Sequence, residues 1–127
     1  MLANAIVGVR DIARGTKFYD TVLGALGYVR HSASEKFVGY GTGQGKPQLW
    51  VCIPRNGQPA TAGNGAQVSF IAKDKASVDN FHAAALAQGG SDEGEPGYRP
   101  PDKSGSYACY VRDPDGNKLM AVCAKPG

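Results

Sequence analysis

The chain has 127 residues, of which 42% are apolar, 20% charged and 9% aromatic. That length suits one compact domain, or two small halves on a shared core, and leaves no room for a separate regulatory domain. A chain of this size and composition buries roughly two thirds of its unfolded surface, which excludes disorder as its main state. Fourteen Lys and Arg against eleven Asp and Glu leave a charge of +3 with no basic block, so nucleic acid is set aside as a partner.

The early apolar run Ala5 to Val9 is far below the ~20 residues a membrane span needs, and no basic stretch followed by a long apolar one begins the chain. The expectation is a cytoplasmic protein without membrane contact. Cys52, Cys109 and Cys123 are an odd count without CxxC spacing, each in an apolar, strand-like setting. They read as buried thiols rather than bridges or metal ligands.

In chain order, Ala5-Ile6-Val7-Gly8-Val9 alternates as a strand does, and Asp11 stands where a helix N-cap belongs. A helix follows with Phe18 and Val22 at helical spacing, and Gly27 marks its stop. Shorter strands are expected over 28–32, 36–41 and 48–53. The plan then repeats. A shift of 63 lays Ala3 on Ala66, Asp11 on Asp74, Phe18 on Phe81, Leu23 on Leu86 and Gly27 on Gly90. A shift of 70 lays Tyr40 on Tyr110 and Leu49 on Leu119, with seven extra residues assigned to the Gly and Pro-rich loop Gly89 to Pro101. The second half therefore reads as a strand from Gln67 to Ala72, a helix capped by Asp74 and stopped at Gly89-Gly90, and strands over 91–97, 107–112 and 118–123. Asp113-Pro114-Asp115-Gly116-Asn117 turns the last hairpin, with Pro fixing φ and Gly permitting a positive one.

The expected fold is α+β: two βαβββ modules, residues 1–60 and 64–127, forming one domain. Period two assigns the faces. With Val7 and Val9 under the first helix, Asn4, Ile6 and Gly8 point away from it, and Gln67, Ser69 and Ile71 do so in the second half. Leu49, Val51 and Ile53 leave Gln48, Trp50 and Cys52 on the face without a helix, while Leu119, Ala121 and Cys123 leave Lys118, Met120 and Val122. Four equivalent positions, Asn4, Trp50, Gln67 and Met120, are thus expected to converge there.

On Val9-Arg10-Asp11, Phe18-Tyr19, Val22-Leu23-Gly24, Val78 to Gly90 and Tyr107 to Val122, the chain resembles the vicinal oxygen chelate superfamily, which includes glyoxalases, bleomycin-resistance proteins, fosfomycin-modifying enzymes and extradiol dioxygenases. The resemblance covers nearly the whole chain, and its motifs are structural, so they speak for fold before chemistry. It implies that the modules curl into an open cup of mixed sheet with the helices outside and a pocket on the concave side, and that the protein is a homodimer. It also implies that the positions of the metal ligands fall on Asn4, Gln67 and Met120. Gln67 can serve as a neutral oxygen ligand, but a carboxamide pair and a thioether do not replace a carboxylate for Mg²⁺, Mn²⁺ or Zn²⁺. No metal or other cofactor is therefore expected.

The remaining candidates divide between chemistry and packing. His82 follows Val78 by one turn and reads as a packing residue, and His31 as a solvated residue opening a loop; neither stands at a triad spacing with Ser or Cys. Gly39 to Lys46 lacks the GxxxxGK[ST] order and leads through Pro47 into a strand, so it reads as a hairpin loop. Tyr110 stands where fosfomycin-modifying members place a pocket tyrosine, and reads equally as core. Trp50 and Met120 either fill the space of the absent metal or line a pocket.

Three functions follow: a metal-independent protein that binds a small apolar or aromatic molecule through Asn4, Trp50, Gln67, Tyr110 and Met120; a metal-dependent lyase, glutathione transferase or dioxygenase; and a regulatory module whose cup is filled by its own side chains. A free carboxylate or phosphate is disfavoured as ligand unless Lys118 or another cation reaches it.

Overall fold

The computed structural model describes residues 1–124. The final three residues of the expected second module lie outside the described residues. Two helices and eight strands follow the order β1 (Ala5–Gly8), α1 (Ile12–Gly24), β2 (Val29–Ala33), β3 (Phe37–Gly41), β4 (Leu49–Cys52), β5 (Val68–Ile71), α2 (Lys75–Ala87), β6 (Ser91–Arg99), β7 (Ser106–Arg112) and β8 (Lys118–Cys123). They form two four-stranded mixed sheets, ordered β1-β4-β3-β2 and β5-β8-β7-β6, and neither closes on itself or on the other.

The repeat is visible residue by residue. Ala5 pairs with Leu49 in the parallel ladder of β1 and β4, and Val68 pairs with Leu119 in that of β5 and β8, so both shifts hold in the register. Asn4 and Gln67 precede their strands at equivalent positions. The seven extra residues of the second half are not simply a loop. They lengthen β6 to nine residues, against five in β2, and register shifts between Asp92 and Gly94 and between Gly94 and Gly97 absorb part of the excess.

Both helices form where their caps and apolar spacing place them. Asp11 accepts from the Arg14 N–H at 3.0 Å and Asp74 from the Ser77 N–H at 2.8 Å. The α1 helix buries Gly15, Phe18, Tyr19, Val22 and Leu23; α2 buries Ser77, Val78, Phe81, His82 and Ala85. Gly15 must be small, because a methyl group there would stand 3.2 Å from both methyls of Val9. Each helix covers one face of its own sheet, the two helices touch, and one buried apolar cluster runs through both modules from Val9 and Tyr19 to Val78 and Leu119.

The DPDGN hairpin is the turn the sequence predicts, closed by the Asp113 N–H to the Asn117 carbonyl at 2.9 Å. It is also a clamp between modules. Tyr19 of α1 donates to Asp113 Oδ2 at 2.6 Å, the Arg10 N–H and the Arg14 guanidinium reach Asp115 Oδ1 at 3.1 and 2.8 Å, and Asn117 Nδ2 donates to the Gly8 carbonyl at 2.8 Å. Burial, and then the Asp113 carboxylate, push Tyr19 well above the usual tyrosine range.

Of the two histidines, His31 departs from its sequence reading and His82 keeps it. His31 lies inside β2 rather than opening a loop, and its Nε2 accepts from the Gly43 N–H at 3.1 Å. His82 is buried, as a packing residue is, and its Nε2 also stands 2.8 Å from Asp92 Oδ1, joining α2 to β6. Cys109 and Cys123 are buried free thiols, while Cys52 is half-buried.

Candidate functional site

The face assignment from period two holds in the closing strands. Leu49 and Val51 are buried while Trp50 and Cys52 are half-buried, and Leu119, Ala121 and Cys123 are buried while Lys118, Met120 and Val122 are half-buried. The helix-free faces thus carry Asn4, Ile6, Trp50 and Cys52 on the first sheet and Gln67, Ser69, Met120 and Tyr110 on the second.

A cavity of about 340 Å³ opens between the starts of β1 and β5. Asn4 and Gln67 both line it, joined by Gln48 and Ser69 as further neutral polar groups. Its apolar wall comes from Leu2, Leu23, Leu49, Val68 and Phe70. Tyr28, in the connection from α1 to β2, spans the two modules by donating its hydroxyl to the Ile71 carbonyl at 2.6 Å, and burial raises its pKa. The size lies at the lower end of the range for small-molecule sites.

Of the five residues singled out from the sequence, only Asn4 and Gln67 belong to this wall. Met120 is the next neighbour: the Gln67 amide lies 3.6 Å from its sulfur and 3.0 Å from Ser69 Oγ. Tyr110 pairs with Met120 across β7 and β8, one strand further from the cavity. Trp50 stands elsewhere on the first sheet, edge-on to Phe37 with ring centroids 5.4 Å apart. Its ring lies over Gly39, where a methyl group would come within 2.8 Å of Trp50 Cζ3. Leu2 and Tyr28 carry no periodic signal, since each lies outside the strands and helices, so sequence reasoning missed them.

At Asn4, Gln67 and Met120, where the resemblance places the metal ligands, the donors are two carboxamides and a thioether. The Gln67 amide nitrogen is directed at Ser69 Oγ and the Met120 sulfur, and among the described residues no three His, Cys, Asp or Glu side chains come together. Such neutral, partly soft donors do not fit a hard or borderline divalent cation, which needs charge to offset the water it gives up. No helix among the described residues is long and apolar enough to cross a membrane.

The model of the Glyoxalase/Bleomycin resistance protein/Dioxygenase superfamily matches residues 2–121. Among solved structures, a glyoxalase/bleomycin resistance protein from Albidiferax ferrireducens T118 is 40% identical, with a TM-score of 0.87 over 98% of this chain and 99% of that one. A glyoxalase-related enzyme from Fulvimarina pelagi shares 18% identity at a TM-score of 0.74, over 97% of this chain and 88% of that one. The fosfomycin resistance protein FosX from Mesorhizobium loti also shares 18%, at 0.65, over 98% and 92%. The last two are likenesses of fold alone. No curated protein sequence matches the chain. With a family model spanning nearly every described residue and a close structural relative at 40% identity, the chain belongs to the glyoxalase/bleomycin resistance protein/dioxygenase superfamily.

Proposed function

We propose that the protein binds a small apolar or aromatic molecule, without a metal, in the cavity between β1 and β5. The observation that carries this reading is the cavity itself: about 340 Å³, walled by Leu23, Leu49, Val68 and Phe70, with Asn4, Gln48 and Gln67 as neutral hydrogen-bonding groups. A metal enzyme needs anionic or imidazole ligands at positions that here hold Asn4, Gln67 and Met120. Burying ~200 Å² of a single ring at ~25 cal/mol per Å² gives about 5 kcal/mol before association costs, so a bare ring binds no tighter than roughly 0.2 mM and the amides supply direction.

The functional unit is a homodimer. Ile6, 65% exposed, and Ile71, 74% exposed, stand on the helix-free faces of the two sheets, and a second copy placed there removes both from water. Trp50 reports on ligand from the neighbouring part of the first sheet rather than from the cavity wall.

A thermal-shift screen of chelator-treated protein against neutral aromatic and apolar compounds, with and without added Mn²⁺, Zn²⁺ or Ni²⁺, tests the reading. The proposal expects compounds that raise Tm equally in both arms. Stabilisation that appears only with a metal present supports the enzyme reading instead.

A further inference from the structure

A second cavity, also of about 340 Å³, opens at the far end of β1 and β4. Its walls include Val9 and Arg10, which follow β1, and Ile53, Pro54, Gln58 and Pro59 of the connection that leaves β4. The first cavity begins at Asn4, five residues before Val9, so the two lie about 17 Å apart along the strand. The connection is a built wall. The Gly57 N–H donates to the Pro54 carbonyl at 3.1 Å, and the Gln58 N–H to Asn56 Oδ1 at 3.0 Å. Ala60, 3% exposed, seats the segment on β1, where a methyl group at Gly8 would come within 3.2 Å of its Cβ.

Among the described residues, Arg10 is the one charged side chain in this wall, and its guanidinium is under-used. The Arg10 N–H reaches Asp115 Oδ1 at 3.1 Å, but Nη1 stays 3.8 Å from that oxygen, beyond hydrogen-bond reach, and the side chain is 51% exposed. Arg14 Nη2 already holds the same oxygen at 2.8 Å, and the neighbouring Asp11 carboxylate takes the Arg14 N–H. The Asp115 side chain is wholly buried and forms no part of the wall, so the cavity meets a guanidinium and no carboxylate. We propose that this cavity is a second ligand site, for a small aromatic carboxylate whose acid group pairs with the Arg10 fork while its ring lies against Ile53, Pro54 and Pro59. One guanidinium without a second cation in the wall suits a planar, singly charged acid over a phosphate, and the exposed Gln58 amide adds a neutral donor at the rim.

The test is a titration of isotope-labelled protein, followed by amide chemical shifts, with three probes: benzoate, benzamide and acetate. Benzoate is expected to shift Val9, Arg10 and Gln58 together in a saturable way, to bind there roughly fivefold tighter than benzamide, and to weaken as salt screens the guanidinium. Acetate, which lacks the ring, should bind at least about tenfold more weakly than benzoate. Arg10→Gln keeps the backbone N–H on Asp115 and should remove the preference for acid over amide, whereas Arg10→Lys, which keeps the charge without the fork, should retain part of it. Arg55→Gln makes the same charge change on the same connection but outside the wall, and should leave the affinity unchanged. Equal affinity for benzoate and benzamide in the wild type, an acid preference that survives Arg10→Gln, or an equal loss from Arg55→Gln overturns the site. Benzoate shifts confined to Asn4, Leu49 and Gln67 also overturn it, while supporting the cavity between β1 and β5 as the small-molecule site.

Discussion

The Tyr19 hydroxyl is the most buried polar contact between the modules, and its removal by Tyr19→Phe isolates the clamp. Tyr19 is fully buried, Asp113 is 3% exposed, and the 2.6 Å hydrogen bond between them joins α1 to the DPDGN hairpin. Phenylalanine keeps the ring that packs edge-on against Phe18 with centroids 5.0 Å apart, so the change removes little besides the hydroxyl. Asp113 retains Asn117 Nδ2 on Oδ2 and the Asp115 and Asn117 N–H groups on Oδ1, each at 2.9 Å. The carboxylate is therefore not orphaned, and the loss should be that of one hydrogen bond to a charged acceptor, about 1.5 to 3 kcal/mol. For a domain of this size that is a fall in Tm of roughly 5 to 15 °C. Tyr40→Phe is the control: its hydroxyl reaches Asp20 at 2.9 Å, but Asp20 is half-exposed and already engaged by Arg30, so a loss below about 1 kcal/mol is expected. Equilibrium urea unfolding of the two variants decides. A Tyr19→Phe loss no larger than that of the control refutes the clamp.

Three further outcomes follow from the same contacts. Burial and Asp113 raise Tyr19, burial and the Asp20 hydrogen bond raise Tyr40, the Asp79 hydrogen bond carries Tyr107 up to about 12, and burial pushes Cys109 up to about 11. Each group loses its proton more easily when unfolded, so their stabilisation is complete below the free thiol value near ~8.5 and is lost as pH rises through about 9 to 12, which urea titrations across that range will show. Elemental analysis of the wild type should find no stoichiometric divalent ion, and Asn4→His, Gln67→His and Met120→Glu together should create affinity for one; one Zn, Ni, Mn or Fe per wild-type chain at this site overturns the expectation. Sedimentation should find a dimer at micromolar concentration, dissociated by Ile6→Lys or Ile71→Lys; a monomeric wild type contradicts the assembly.

The fold was legible because its signals are local and repeated. Asp11 and Asp74 cap helices with the expected apolar faces, and alternation along β4 and β8 sorts Trp50 and Met120 from Leu49 and Leu119. The equivalence of Asn4 and Gln67 came from a shift that survives only because the parallel ladders are in the same register. What stayed hidden depends on contacts between modules or on broken periodicity. Tyr19 and Asp113 are 94 positions apart, and no pattern within either half announces their bond. Arg99 stands over the Tyr110 ring from a strand whose register shifts twice, so period two does not assign its face. Trp50 has the parity of a site residue, yet Gly39 and Phe37 draw its ring away from the cavity wall.

The most direct measurement on the cavity is the binding of indole, a neutral aromatic probe, to chelator-treated protein, mapped by amide shifts in the wild type and in Ser69→Phe. Ser69 is exposed and lines the cavity, so a phenyl ring there fills the volume from the helix-free side. The account predicts saturable shifts at Asn4, Leu49 and Gln67, unchanged by chelator or added metal and abolished by Ser69→Phe. Binding that requires a divalent ion, or shifts at those residues that persist in Ser69→Phe, contradicts it.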